Sequence, residues 1–248
     1  DEDETRTDAL MVATMDTKDK TINVMNIPRD TMCNNTATGA SKKINAAYGM
    51  DTGGKGGNIE QTSKEIERLM GFRPDNYVIV NFAGIAAIVD AIGGVDYDVP
   101  FDMKYDDPSQ NLHIDLKKGQ QHLDGKQTVG FLRWRHNNDY TVQYTNGDEG
   151  RVENQQKFLK ALAGQVLQIK NVTKIRSIAE AVFKNVKTDF SAGELLWMGM
   201  QAMQIDNSSI QFFTLPGYGK MSTAGTSVQY SFFFPYYDQT LELVNKYF

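Results

Sequence analysis

Apolar residues along this chain come in short runs separated by polar turns. Ala9–Thr14 (ALMVAT) is apolar enough for a buried strand, and Thr21–Ile27 (TINVMNI) alternates more, as a partner strand does. Asp16-Thr17-Lys18-Asp19-Lys20 joins them as a hairpin turn, and Pro28, with no backbone N–H to donate, ends the second strand. Gly53–Gly57 reads as a loop, and a helix follows to about Met70 with Ile59, Ile66, Leu69 and Met70 on one side. Tyr77–Asn81 (YVIVN) reads as a central strand. Phe82–Ile92 reads as an apolar helix stopped by Gly93-Gly94. Val95–Val99 and His113–Leu116 are further strands, and Asp124–Val129 opens another helix. His136 to Gly150 has almost no apolar residues, which predicts a mobile surface loop.

From Arg151 to about Ile169 the pattern turns helical, with Phe158, Leu162 and Val166 spaced by four. Ile175–Phe183 is a second helical stretch. Ser191 is a good N-cap for a helix over Gly193–Met203, with Glu194 three residues on as its capping-box partner. Ile210–Leu215 reads as a last central strand and Tyr236–Phe248 as a closing helix. Strands and helices alternate, which predicts an α/β fold: an α-β-α sandwich around a central mixed β-sheet. No internal repeat, linker or low-complexity block interrupts the chain, so one compact domain over 1–248 is expected.

Composition narrows the function classes. The 248 residues carry a formal net charge of -5 and a pI of about 5.3, which argues against nucleic acid as a partner. The single cysteine, Cys33, excludes an internal disulfide framework and a cysteine-rich zinc site. No apolar run reaches the length of about 18 residues that a membrane helix needs. Asp1–Glu4 leads into the first strand with no methionine ahead of it, and an anchor or signal upstream is expected. The three histidines, His113, His122 and His136, lack zinc-hydrolase spacing, no GxSxG elbow is present, and Gly53–Gly57 is not a Walker loop.

What remains is a set of arginines beside carboxylates at strand and helix ends. Arg6-Thr7-Asp8 precedes the first strand and Arg29-Asp30-Thr31 follows the second, so a hairpin puts both on one edge of the sheet. Arg133-Trp134-Arg135, if extended, points two guanidinium groups the same way. Asp148-Glu149-Gly150-Arg151 opens the long helix, where Arg151 and Gln155 share a face, and Lys43 adds a cation. Guanidinium groups bind phosphate oxygens bidentately, and carboxylates such as Asp8 suit magnesium. The chemistry this predicts is a pyrophosphate site with a divalent metal. A surface ion pair is the commoner fate of any single arginine, worth about 0–1 kcal/mol. Arg68, Arg73 and Arg176 are assigned to that class. Trp134 and Phe232-Phe233-Phe234 are read as core, and Asn171-Val172-Thr173 and Asn207-Ser208-Ser209 as chance glycosylation sequons.

Six segments in order resemble the LytR-CpsA-Psr family of bacterial cell-wall phosphotransferases. They are RTDALMVATMD (Arg6–Asp16), NIPRDT (Asn26–Thr31), KINAAY (Lys43–Tyr48), VNFAGIAAIVDAIGGVDYDVP (Val80–Pro100), LKKGQQHLDGKQTVGFLRWR (Leu116–Arg135) and DEGRVENQQKF (Asp148–Phe158). VKTDFS (Val186–Ser191) and TLPG (Thr214–Gly217) resemble the family's closing part. The resemblance implies an α/β domain outside the cell, on the outer face of the cytoplasmic membrane, held there by a membrane anchor. It implies an apolar pocket between sheet and helices for the tail of a polyprenyl (undecaprenyl-type) pyrophosphate. The implied reaction, magnesium-assisted, transfers a phosphate-linked glycopolymer, such as teichoic acid or capsular polysaccharide, onto peptidoglycan.

By the same resemblance Arg29, Arg133, Arg135 and Arg151 bind the pyrophosphate, Arg6 and Lys43 orient or neutralise it, and Gln155 adds a hydrogen bond. Asp8 is a magnesium ligand, and Asp148 holds an arginine in place. Asp8, Arg29, Arg133 and Arg135 are the implied catalytic set. Two departures stand out. Asn154 replaces the first residue of the family's Arg-Gln-Gln, and the family's second carboxylate falls upstream of residue 1. Two other readings stay open: a pyrophosphatase in which water attacks the same lipid, and a non-catalytic carrier or regulator.

Overall fold

The computed structural model describes residues 6–7, 9–33, 37–50, 59–166 and 175–248, and in the helices it leaves aside the side chains of Asp148 and seven other residues. Asp8, the glycine-rich loop 53–57 and the sequon at Asn171, each named from the sequence, lie outside the described residues. So do the last residues of the long helix expected to reach Ile169. The chain divides into two compact units, Asp1–Tyr77 with Ser208–Phe248, and Val78–Asn207.

The first unit is built on the expected hairpin. Strands β1 (Leu10–Asp16) and β2 (Thr21–Ile27) pair antiparallel from Leu10 opposite Ile27 to Asp16 opposite Thr21. The Asp16 carboxylate closes the turn by accepting the backbone N–H of Lys18 (2.7 Å) and Asp19 (2.8 Å), and Lys20 takes a left-handed φ of 54°. Strand β9 (Ile210–Thr214) adds to β2 in parallel, giving a three-stranded mixed sheet in the order β1-β2-β9. The sequence reading makes 210–215 a central strand; it is instead the outer strand, and another hairpin follows it.

That hairpin pairs β10 (Gly217–Ser222) with β11 (Tyr230–Pro235). It has no counterpart in the sequence reading, because Gly217-Tyr-Gly-Lys-Met-Ser carries little strand propensity. Gly217 is required there: a Cβ would stand 2.4 Å from the Phe234 carbonyl oxygen. The one-turn helix α1 (Ile44–Ala47) and the longer helices α2 (Ile59–Met70) and α8 (Tyr237–Tyr247) complete the unit. Met25, Ile27, Ile44, Ile66, Leu69, Met70 and Leu215 form its aliphatic core, each worth about 1.5–3 kcal/mol of burial.

The second unit has its strands in pairs. β3 (Val78–Val80) pairs with β8 (Val186–Thr188), β4 (Val95–Val99) with β7 (Gly119–Leu123), and β5 (Met103–Asp107) with β6 (Leu112–Leu116), all antiparallel. β3, expected as a central strand, pairs among the described residues with β8 alone, and Val78 is 51% exposed. An apolar run does not by itself state how many strands flank it.

Helix α3 (Phe82–Ile92) starts on the Asn81 side chain, which accepts the Gly84 N–H at 2.8 Å, and stops at left-handed Gly93 (φ 93°). Helix α4 (Gly125–Arg133) begins with a capping box in which Asp124 and Gln127 each accept the other's backbone N–H. Ser191 and Glu194 do the same for α7 (Ala192–Ala202), as expected. Helices α5 (Asp148–Val166) and α6 (Ile175–Asn185) fill the remaining positions. Gly125 lies under α3, where a Cβ would meet the Ala86 carbonyl oxygen at 2.4 Å.

The core of this unit is aromatic. Tyr97, Phe131 and Phe158 pack ring to ring at 5.1–5.2 Å, and Phe101, Trp134 and Tyr144 form a second triad at 5.1–5.8 Å.

The polar stretch after Arg135 differs from the loose loop its hydropathy predicts. Asn137 is buried; its Oδ1 accepts from the Lys104 N–H (2.7 Å) and Trp134 Nε1 (3.2 Å). His136 bridges to Gln143, and Tyr144 is buried. Polar side chains anchor this segment, and hydropathy does not register such anchors.

Candidate functional site

The expected site residues fall into two groups, one in each unit. In the first unit the hairpin register sets the beginning of β1 opposite the end of β2, as the sequence reading requires. Three backbone hydrogen bonds then stitch the neighbouring segments together: Thr7 N–H to the Asn45 carbonyl (3.2 Å), Asn45 N–H to the Arg29 carbonyl (3.2 Å) and Ile44 N–H to the Thr31 carbonyl (2.8 Å). The stretches bearing Arg6, Arg29 and Lys43 therefore meet at one end of the hairpin. Lys43 Nζ is 2.9 Å from Asp30 Oδ1 and 5.7 Å from the centre of the Phe232 ring. Asp30, which the sequence reading did not single out, is thus the counter-charge of Lys43. The Arg29 Nε atom is buried.

The same end holds buried oxygens. Among the described residues, Thr7 Oγ1 and Asn45 Oδ1 have no hydrogen-bond partner. Such atoms are uncommon in a folded chain and point to something that binds there. Hard oxygen donors are what magnesium takes, alongside one or two carboxylates and phosphate oxygens. Among the described residues no group of three or more His, Cys, Asp or Glu could hold a metal by itself.

In the second unit Arg133 is the last residue of α4, so Arg133-Trp134-Arg135 is not the extended fork that the spacing offers. Trp134, at φ -64° and ψ 137°, turns the chain out of the helix, and its ring is buried as expected. Arg133 Nη2 donates to Gln110 Oε1 at 2.5 Å, and its guanidinium carbon stands 5.4 Å from the centre of the Phe82 ring. Arg135 is exposed. Gln155 Nε2 donates to the Leu132 carbonyl at 2.9 Å, which pins the start of α5 to the end of α4. Arg151, one turn before Gln155, is buried. The side chain of Asp148 lies outside the described residues.

Asn154 is also buried, and its surroundings explain the residue. Its Nδ2 donates to the Tyr144 hydroxyl at 2.8 Å, and the Tyr97 hydroxyl donates to its Oδ1 at 3.3 Å. A cation here would replace a neutral hydrogen-bonding hub between two phenols. Burial, with Tyr144 and Asp98 nearby, pushes the Tyr97 hydroxyl up to about 12. Burial raises that of Tyr144 as well, against the opposing pull of Asn154 and Arg151. Gln110 and Asn137 escaped the sequence reading, and Asn154 entered it only as a departure from the family's Arg-Gln-Gln, because a polar residue far along the chain from its partner leaves no periodic signal.

A family model described as the LytR_cpsA_psr family matches residues 1–242. The chain belongs to this family. A relative from Bacillus subtilis (strain 168), the polyisoprenyl-teichoic acid–peptidoglycan teichoic acid transferase TagV, is 36% identical over 213 residues, covering 83% of this chain and 51% of the relative. The regulatory protein MsrR of Staphylococcus aureus is 28% identical over 215 residues, covering 86% of this chain and 60% of that protein. The chain thus spans about half to three-fifths of the length of these LytR_cpsA_psr relatives. The crystal structure of B. subtilis TagV superposes with a TM-score of 0.76 at 32% identity, covering 97% of this chain and 87% of the other. The mixed α/β fold expected from the sequence is the fold of this family.

Proposed function

We propose that the chain is the catalytic domain of a phosphotransferase that moves a glycopolymer from a polyprenyl-pyrophosphate carrier onto peptidoglycan. The observation that carries this reading is its 36% identity with a protein named for teichoic acid transfer to peptidoglycan. The geometry supports it: guanidinium groups stand at the ends of elements that capping, register and side-chain hydrogen bonds hold in place. The pyrophosphate is the proposed ligand of Arg29, Arg133, Arg135 and Arg151, with Arg6, Lys43 and Gln155 in support, as the family resemblance implies. Fixed guanidinium groups offer paired donors to phosphate oxygens, and they stabilise the charge that develops on the departing lipid phosphate.

Magnesium is the proposed cofactor, with Asp8 as its carboxylate ligand and the orphaned oxygens of Thr7 and Asn45 as fitting surroundings. When bound, it supplies positive charge that neutralises phosphate oxygens. A sugar hydroxyl of peptidoglycan attacks the phosphorus bearing the glycan; the new oxygen–phosphorus bond forms as the bond to the lipid phosphate breaks, and the hydroxyl proton passes to a nearby carboxylate. That acceptor places the work on the outer face of the bacterial cytoplasmic membrane, and an apolar cavity for the lipid tail belongs to the same proposal. The resemblance to MsrR, a protein named as regulatory, favours a second reading in which the lipid-linked polymer is bound but not turned over.

The test uses purified protein, lipid-linked glycopolymer and magnesium, with and without a peptidoglycan acceptor. Transfer requires the acceptor. Arg29→Ala and Arg133→Ala should each lower it by at least about a hundredfold, the cost of removing one donor to a developing oxyanion. Equal turnover without acceptor would establish a pyrophosphatase, and no turnover at all a binding protein.

A further inference from the structure

At the C-terminal end of α3 one histidine meets two acceptors. His122 of β7 lies directly opposite Asp96 of β4, and its Nδ1 is 2.6 Å from Asp96 Oδ1. Its Nε2 is 2.8 Å from the Gly93 carbonyl oxygen, where α3 stops. Both ring nitrogens therefore face oxygens that accept and do not donate, a carboxylate and a carbonyl. A neutral imidazole has a single N–H and satisfies one of them; turning the ring over sets carbon atoms against the oxygens instead. The arrangement is that of the imidazolium, in which both nitrogens donate.

The surroundings select the same form. The C-terminal end of a helix carries partial negative charge, and α3 has no basic residue in its last turn. It has Asp90 there, whose Oδ1 accepts the Gly125 N–H at 2.8 Å. His122 supplies from a neighbouring strand the cation that the helix itself lacks. β4 adds Asp98, two residues beyond Asp96, and Asp124 follows β7 as the cap of α4. Lys126 in the first turn of α4 and Lys160 on α5 are the opposing cations on these elements. From α5 the neutral Gln165 accepts the Asp96 N–H and donates to the Asp96 carbonyl, both at 2.8 Å. Gly94, at a left-handed φ of 95°, completes the fit, since a Cβ there would overlap the His122 ring.

We infer that His122 is a proton-operated latch: as imidazolium it clamps the end of α3 to the β4–β7 pair, and as neutral imidazole it releases one side. The inference is independent of the pyrophosphate reading and adds to it a corner of the second unit whose closure is set by the acidity of the medium. The His122 and Asp96 side chains are 60% and 64% exposed, so the proton exchanges freely and solvent screens the pair. Release is therefore a local opening of this corner and leaves the rest of the chain folded. Because the folded chain favours the imidazolium, its titration midpoint lies above the ordinary histidine value of about 6.5. The clamp is fully present below that ordinary value and is lost as pH rises through the folded midpoint.

The chain has three histidines, so NMR titration resolves each imidazole, and the signal missing from His122→Gln identifies His122. Its midpoint should lie above about 6.5, and Asp96→Asn should lower it. Hydrogen exchange reads the latch itself, as protection of the Gly94 and Asp96 amides relative to their intrinsic rates. These amides donate to the Val89 carbonyl (2.9 Å) and to Gln165 Oε1. Wild-type protection there should fall about threefold to tenfold across the His122 midpoint, tenfold corresponding to one unit of displacement. The β2 amides, in the other unit, should keep theirs. In His122→Gln the protection of Gly94 and Asp96 should be low already and independent of pH.

A midpoint at or below about 6.5, wild-type protection that is constant across the midpoint, or the same pH-dependent fall in His122→Gln overturns the inference. A fall shared by the β2 amides marks global unfolding and overturns it as well. Should His122→Gln not fold, Asp96→Asn decides, since it keeps the size of the side chain and the backbone bonds to Gln165. The fall in protection should then move to lower pH together with the midpoint, and a fall that stays in place overturns the latch. Neither measurement uses a carrier lipid or magnesium, so the outcome stands whatever becomes of the phosphotransfer reading.

Discussion

The two units solve the same problem, holding a cation at the end of an element, with different kinds of core. In the first, an aliphatic core of Met25, Ile27, Ile44 and Leu215 sits under a sheet, and strand register with backbone hydrogen bonds brings the cation-bearing segments together. In the second, an aromatic core carries polar handles: Trp134 Nε1 and the hydroxyls of Tyr97 and Tyr144 reach out of the packed rings to Asn137 and Asn154. An aliphatic core stabilises without orienting anything beyond itself. An aromatic core with satisfied polar edges also fixes the segments attached to it, here the turn after Arg135 and the first turns of α5.

The largest effect that would sharpen this contrast comes from removing a ring. Phe158 is fully buried and packs on Tyr97 at 5.2 Å and Phe131 at 5.1 Å. Phe158→Ala should cost about 3–5 kcal/mol in urea unfolding, against about 2–5 kcal/mol for Met25→Ala in the other unit. Only Phe158→Ala should also disturb the environment of Trp134, read by its fluorescence; an equal change from Met25→Ala would break the comparison.

Next in size is the polar hub. Asn154→Leu takes this partner from the buried Tyr144 hydroxyl and the half-buried Tyr97 hydroxyl and should cost about 1–3 kcal/mol. Asn154→Asp tests the same point: it keeps the acceptor for Tyr97 but loses the donor to Tyr144.

The smallest effect is alkaline. A phenol raised to about 12 resists ionisation in the folded chain, while in the unfolded chain it ionises near the ordinary tyrosine value of about 10. The stability it contributes is fully present below the unfolded value and is lost as pH climbs from there through about 12. Tyr97 is only half-buried, so solvent screens the effect and the loss is modest. Tyr97→Phe should flatten that part of the pH profile, followed by tyrosinate absorbance, and an unchanged profile would remove Tyr97 from the account.

Local chemistry in the sequence carried much of this architecture. The capping pair Ser191 and Glu194, the stop at Gly93 and the hairpin that joins the neighbourhoods of Arg6 and Arg29 all rest on residues a few positions apart. The second hairpin was invisible because β10 (Gly217–Ser222) is poor in strand formers and shows itself only through its pairing with the aromatic-rich β11. Arg133-Trp134-Arg135 misled because helix α4 runs one residue further than an extended fork allows. The Gln110–Arg133 contact spans 23 positions and is a product of the tertiary fold alone. The stretches bearing Arg6, Arg29 and Lys43 share one end of the first hairpin, and Gln155 joins α5 to the end of α4.

Gly125 has a reach beyond its size. With the Ala86 carbonyl 2.4 Å from where a Cβ would stand, the gap between two helices is set by the absence of a single carbon. Substitution there changes a spacing, whereas substitution at exposed Lys126 beside it changes only a surface. In a saturation library the first position should come back nearly empty and its neighbour full, so the family's tolerance for new residues can differ completely between adjacent letters.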